Sequence, residues 1–433
     1  MPRQVRLALR TLSRTPVVTA IALFSLALGI GANTAIFSLF NSIILRPLPV
    51  PEPERLVALS ANTPRIGNVT NNTAGPDVFS YPLLRGLQSG QTSLTGIAAH
   101  RAFSANLAFN NHTINTQALY VSGEFFPVLG LRPAAGRLLN PGDGSSPGTQ
   151  AVAVLSHRYW TEHCHADPQV VSQVLIVNGV AFTIAGVAPE GFHGVTLGLW
   201  PAVYVPITMK SVLEPRWQGY ENHLEHWVYL LARLKPGVSR ERAEQQLNGL
   251  YAGLLDKEIP LLKGATAKTL DQVRQSRLRL LAGHRGQSGV LDAGELPLTM
   301  LLALAGFVLL IACANIANLL LARGMARQRE IGVRLSLGAA RGRIVRQLLT
   351  ESVLLALAAA AGGYLISRLA LAGAVSWVMR TAPVDIGDVD LSAPAADWRV
   401  AVFLVIGALV ATGAFALMPA LRATAIDPMR TLR

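Results

Sequence analysis

A chain of 433 residues with 51% hydrophobic and only 15% charged residues reads as membrane-embedded rather than as an ordinary soluble domain. Its net charge of +13 would suit a nucleic-acid binder, but the charge is not spread as that partner requires. Four arginines and no acid in 1–16, seven arginines against two glutamates in 323–351, and three arginines against one aspartate in 422–433 hold eleven of the thirteen net charges. Basic residues packed beside apolar runs set membrane topology and leave nucleic acid without a footprint.

Arg3, Arg6, Arg10 and Arg14 precede an apolar run over 17–45, about twice the core of a signal peptide, so an uncleaved first span is expected there. Ala27, Gly31 and Ala35 repeat every four residues, a small face that admits another helix closely. Asn33, Ser38 and Asn41 need partners inside a bilayer, through helix–helix hydrogen bonds or a transport path. Arg46-Pro47-Leu48-Pro49 ends the run and opens a large extracytoplasmic α+β domain over 46–297. Within it, 81–88 and 156–162 read as helices, and 114–121, 152–155 and 227–234 as strands. Asn178-Gly179 between two apolar runs predicts a hairpin, and Ser239 is placed to cap a further helix. A second span is expected over 298–321, where Asn315 and Asn318 share a face that bonds neighbouring backbone or helix partners. A cytoplasmic loop (322–346), a third span (347–377), an acidic outer loop (378–399), a fourth span (400–421) and a cytoplasmic tail (422–433) follow. The fold class is thus a membrane protein of four transmembrane helices with both ends inside.

Catalytic patterns are weak. Gly144-Ser145-Ser146-Pro147-Gly148 matches a nucleophile elbow in letters but lacks the strand before the serine and the helix after it. His163-Cys164-His165, and His223 with His226, want a second ligand-bearing segment before they resemble a metal site. Lys268-Thr269 has no glycine before it, so no P-loop is formed. No enzyme activity, metal or cofactor is assigned to this chain.

Between the second and third spans, Arg327, Arg334 and Arg341 recur every seven residues, Glu330 stands four before Arg334, and Gly338 is placed to end a helix. The arginines either fix topology alone or dock a partner on the inside. The text IACANIANLLLARG leading into RQREIGVRLSLGAARGRIVRQLLTES resembles the second span and following loop of the FtsX-like/MacB-type permeases of ABC transporters. The opening LRTLSRTPVVTAIALFSLALGIGANTAIFSLFNSIILRPLP resembles that of the large duplicated permeases, whose unit this chain carries once. LYVSGEFFPVLGLRPAAGRLLNPGD, QAVAVLSHRYW, VLIVNGVAFTIAGVAPEGFHG and LLARLKPGVSRERAEQQL are similar to the MacB-type periplasmic core domain, with an inserted lobe placed by analogy near 112–222.

The resemblance implies that Arg323, Arg327, Arg329, Glu330, Arg334, Arg341, Arg343 and Arg346 form a surface for an ABC ATPase subunit, which would carry ATP and Mg²⁺. It implies a second permease copy, an inner-membrane location, and work done outside the membrane on a lipid, lipoprotein, peptide or drug. The alternative is a scaffold that regulates an extracytoplasmic cell-wall hydrolase and transports nothing.

Overall fold

The computed structural model describes residues 16–41, 47–62, 67–69, 77–144, 146–196, 199–286, 297, 299–308, 310–311, 314, 341–381, 398–400, 402–403 and 405–406. The chain divides into an outer unit centred on Arg46–Asp292 and a helical unit centred on Met1–Leu45 and Ala293–Ala382. In chain order the main elements are α1 (Pro16–Phe40), β1 (Leu56–Ala61), α2 (Tyr81–Gly90), β2 (Leu94–Phe109), β3 (His112–Val121) and α3 (Phe125–Leu129). Then come β4 (Val152–Leu155), α4 (His157–Cys164), β5 (Val174–Val177), β6 (Val180–Val187), β7 (Val203–Pro206) and β8 (Val228–Leu234). The rest are α5 (Arg240–Glu258), α6 (Ala267–Arg274), β9 (Leu278–Ala282), α7 (Thr299–Val308) and α8 (Arg341–Thr381).

Two tight turns set the sheet of the outer unit. Asn110 and Asn111 take φ of 48° and 63°, and Asn178 and Gly179 take 47° and 83°. Paired positive φ values match the twist of a two-residue hairpin, and asparagine and glycine tolerate them best. The first turn joins β2 to β3 from His100↔Val121 to Phe109↔His112, the second joins β5 to β6. The first half of β2 also pairs with β8, which runs on through β1 to β9. The second half instead meets β5 at Leu107↔Val177. From β3 the pairing passes to β7, β4 and β6 and so back to β5 and β2, a closed ring of strands. Strand β2 thus pairs both with β8 and with strands of the segment near 112–222 assigned by analogy to an inserted lobe.

Serine caps the starts of α2, α4 and α5. Ser80, Ser156 and Ser239 accept from Leu83, Tyr159 and Arg242 N–H groups, satisfying donors that the helix cannot. One apolar core collects Trp227, Phe79, Leu84 and Tyr251 beneath α2 and α5, and a second collects Phe125, Phe126, Phe192 and Tyr204 around α3. Arg233 of β8 is only 6% exposed, yet its guanidinium donates to the Val128 and Leu129 carbonyls at the end of α3 and to Glu52 O. Those bonds tie the start of the outer unit to its centre. The 3-10 turn Pro141–Gly144 precedes Ser146, so no strand leads into that serine.

Asp143 organises the connection before β4. Arg137 donates to its two oxygens at 2.6 and 2.8 Å, and the Asn140 N–H at 2.9 Å. Burial works to raise the carboxyl's pKa, but the Arg137 hydrogen bonds and the Asn140 N–H outweigh it and hold it below the usual carboxylate range. A depressed folded pKa stabilises the fold above the unfolded value and loses that effect as pH falls through the folded one. Asp143→Asn should therefore lower stability at pH 7 by about 1 kcal/mol, discounted because Arg137 is 50% exposed. In thermal melts the mutant and wild type should converge as pH falls from about 4 through the carboxyl's own pKa.

In the helical unit, Thr19–Phe40 and Val353–Ala374 are long and apolar enough to cross a bilayer. The third span expected over 347–377 belongs to a longer helix, because α8 runs for 41 residues from Arg341. Its first turns overlap the segment expected to be a cytoplasmic loop. The sequence RGRIVRQLLTE there contains no proline and one glycine, and is otherwise rich in residues that favour helix, so nothing breaks the helix before the apolar stretch.

Candidate functional site: the first membrane helix and its partners

Helix α1 sorts its residues by size. Val17, Ile21, Phe24 and Leu28, spaced four, three and four, are 69%, 58%, 64% and 51% exposed and form one large apolar stripe. The opposite face buries Ala27, Ile30, Asn33, Thr34, Ser38 and Asn41 together with Gly31, while Ala35 is half-buried. An apolar exterior over a small and polar interior is what hydrocarbon solvent demands of a helix with neighbours.

The small face meets α8. A Cβ at Gly31 would lie 2.9 Å from Gly363 O, and a Cβ at Gly363 would lie 2.9 Å from Ala27 O and 3.1 Å from Gly31 N. The two backbones touch, and neither position has room for a side chain. Leu26, Ala27 and Ile30 close over this point against Ala356, Ala359 and Ala360. The face that the sequence offered to some other helix is thus filled by the chain's own α8, not left for a second copy. The partner face was missed. Its signal was present in the four-residue spacing of Ala356 with Ala360 and of Ala359 with Gly363.

Polar side chains on α1 find backbone partners. Thr34 donates to Ile30 O at 2.7 Å and Ser38 to Thr34 O at 2.8 Å, both within the helix. Asn33 reaches out as well, donating to Ala305 O of α7 at 2.7 Å. Phe37 stacks on Phe403 with ring centroids 4.1 Å apart. Asn315 and Asn318, and Arg323, Arg327, Arg329, Glu330 and Arg334, lie outside the described residues. Arg341, Arg343 and Arg346 fall in the first two turns of α8.

The outer unit holds a cluster that sequence reading also missed. Lys210 is 2% exposed and lies 4.6 Å from the Trp217 ring and 5.6 Å from those of Tyr120 and Trp227. It pairs with Glu214, which also accepts from the Tyr120 hydroxyl at 3.2 Å. Arg101 of β2 donates to Trp227 O at 3.3 Å, and Trp217 to Glu225 at 3.4 Å. Burial lowers the Lys210 pKa, opposed by the hydrogen bond it donates to Glu214. Charge, cation–π contacts and hydrogen bonds here fasten the 210–227 connection to the middle of β2 and the end of β3. His226 is buried and His223 faces Glu258 at 3.3 Å. Among the described residues no group of three His, Cys, Asp or Glu side chains converges as a metal site would.

Residues 19–250 match the MacB-like periplasmic core domain and residues 302–428 the FtsX-like permease C-terminal family. The chain therefore belongs to the FtsX-like/MacB-type permease family, and is a membrane protein with a large periplasmic domain. It is 25% identical over 347 residues to the macrolide export ATP-binding/permease protein MacB of Chromobacterium violaceum, covering 79% of this chain and 47% of that one. It is 26% identical over 330 residues to the pyoverdine export ATP-binding/permease protein PvdT of Pseudomonas putida, covering 74% and 44%. The chain thus spans about half the length of these curated relatives. The crystal structure of the periplasmic region of MacB from Actinobacillus actinomycetemcomitans is 16% identical, with a TM-score of 0.36 over 54% of this chain and 99% of that one.

The helix pair yields a direct test. A Cβ at Gly362 would lie 3.5 Å from the Ala27 Cβ, inside the range of about 3.5–4.5 Å for a disulfide. In a background with Cys164 and Cys313 replaced by serine, Ala27→Cys with Gly362→Cys should oxidise to a bond within one chain, seen on non-reducing gels as a shifted monomer. Adding Gly31→Leu should slow that oxidation, since overpacking the contact costs about 1–3 kcal/mol. A cross-linked dimer would show that the face pairs between copies instead.

Proposed function

We propose that the chain is the membrane permease subunit of an ABC transporter, converting ATP binding and hydrolysis by a separate ATPase into movement of its outer domain for export of a substrate. The observation that carries this reading is the match to relatives named as export ATP-binding/permease proteins, which covers most of this chain but under half of theirs. ATP and Mg²⁺ belong to the partner ATPase, two permease copies complete the assembly, and the chain lies in the bacterial inner membrane. Four spans place both termini, and the arginine-rich segment 322–346, in the cytoplasm. Any contact between copies uses a surface other than the Gly31 face, which α8 fills.

The length of α8 supports a mechanical role. Its 41 residues span about 60 Å, roughly twice a hydrocarbon core of ~30 Å. The distance along it from Arg341 to Gly363 is about 33 Å. A displacement of the arginine-bearing end is carried by one unbroken helix to the contact with α1. The export named for both relatives favours transport over the regulation of a hydrolase. Co-purification of a cell-wall hydrolase with the outer domain, and no export adaptor or small ligand, would favour the scaffold.

Reversing Arg327 and Arg334 to glutamate tests the coupling surface. Stability should change by no more than about 0.5 kcal/mol, as for surface substitutions, whereas each reversal across an interface costs several kcal/mol. Pull-down of the cognate ATPase should be lost, while a cysteine at Ser145 still labels from outside intact cells and one at Ser336 does not. Retained ATPase binding by a correctly oriented double mutant would restrict these arginines to topology.

A further inference from the structure

Two of the neighbours of α1 are held by different physics. Against α8 the contact is backbone on backbone, Gly31 on Gly363, and it fixes the register because a shift in either direction brings a larger side chain into the gap. Against α7 the described link is a hydrogen bond. The Asn33 amide nitrogen donates to Gly29 O at 3.0 Å, one turn back, and to Ala305 O at 2.7 Å, so both of its hydrogens are used. Asn33 is 5% and Ala305 6% exposed, so no water replaces that bond when it breaks.

Such a bond selects a register without locking it. Carbonyls recur along every helix, each with a second lone pair able to accept from a side chain, so the amide has equivalent acceptors along α7. Hydrogen bonds between helices in membranes favour one arrangement by about threefold to twentyfold, a bias and not a barrier. Among the described residues Thr34 and Ser38 bond back to their own helix at Ile30 and Thr34 and supply no such link.

We propose that Asn33 is the positioning residue of the membrane unit. It sets α7 in register against the stiff α1–α8 pair and is the contact that yields when α7 moves. The movement rests on the permease reading above; the register is a property of this chain and is measured without any ATPase.

The experiment uses the full chain in lipid nanodiscs, with Cys164 and Cys313 replaced by serine, and pulsed electron–electron resonance between spin labels. One pair reports on α1 and α7, at Phe24 and Leu304, which are 64% and 60% exposed; the other reports on α1 and α8, at Phe24 and Leu365, the latter 61% exposed. Asn33→Leu keeps the size and removes the donor. It should reduce the population of the main α1–α7 distance at least about threefold and leave the α1–α8 distance unchanged, and Asn33→Gln should restore the first. An unchanged α1–α7 distribution in Asn33→Leu overturns the proposal. So does an equal change in both distances, which would mean a general loosening of α1, or a failure of Asn33→Gln to recover. Loss of the transporter reading would appear separately, as absent ATPase binding with these distances intact.

Discussion

Gly31 and Gly363 touch through their backbones, and the helical unit depends on that touch. Lipid tails are as apolar as leucine, so burying large side chains between helices gains little in a bilayer. Close packing and hydrogen bonds must do the holding, and both fall off steeply with distance. Two glycines bring the axes near enough for Ala27, Ile30, Ala356, Ala359 and Ala360 to pack as one cluster. That stiff pair is the frame to which Asn33 ties α7, and from which α8 extends toward its arginines.

Water drives the outer unit instead, and its buried charges are correspondingly expensive. Lys210 and Arg233 are both nearly inaccessible, and burial depresses the pKa of each. Each is kept by dense compensation, Arg233 by the carbonyls at the end of α3, Lys210 by Glu214 and a surround of aromatic rings. A buried pair of this kind adds little net stability but is intolerant of losing one partner, which fixes where the connecting segments run. Both cations sit where chain segments distant in sequence must be held against the central strands.

Features set by near neighbours in sequence were legible. The Asn178-Gly179 turn, β4 over Val152–Leu155, and the Ser239 cap follow from local backbone chemistry. The long strand β2 was not, because LTGIAAHRAFSANLAF is rich in small residues and alternates poorly, and its pairing changes from β8 to β5 along its length. Ring closure joins Leu107 to Val177, a pairing no short window contains. The Asn110-Asn111 turn did carry a local signal, two residues that accept positive φ. In the membrane, the small face of α1 could be read and α8 carries a matching spacing, but periodicity says that a helix will approach and not which one. Lys210 was hidden for the opposite reason: a lone lysine in VYVPITMKSVL reads as surface until the aromatic rings around it are seen.

The outer unit begins and ends in the same place. Strand β1 lies antiparallel to β9 from Val57↔Ala282 to Ala61↔Leu278, and beyond it Leu48 N–H donates to His284 O at 2.7 Å. Its two ends are therefore fastened to each other rather than requiring the membrane helices to hold them together. A body closed in this way has its own core and holds its own ends together. Its strands and loops can diverge, or be exchanged for those of another permease, while its two ends stay side by side.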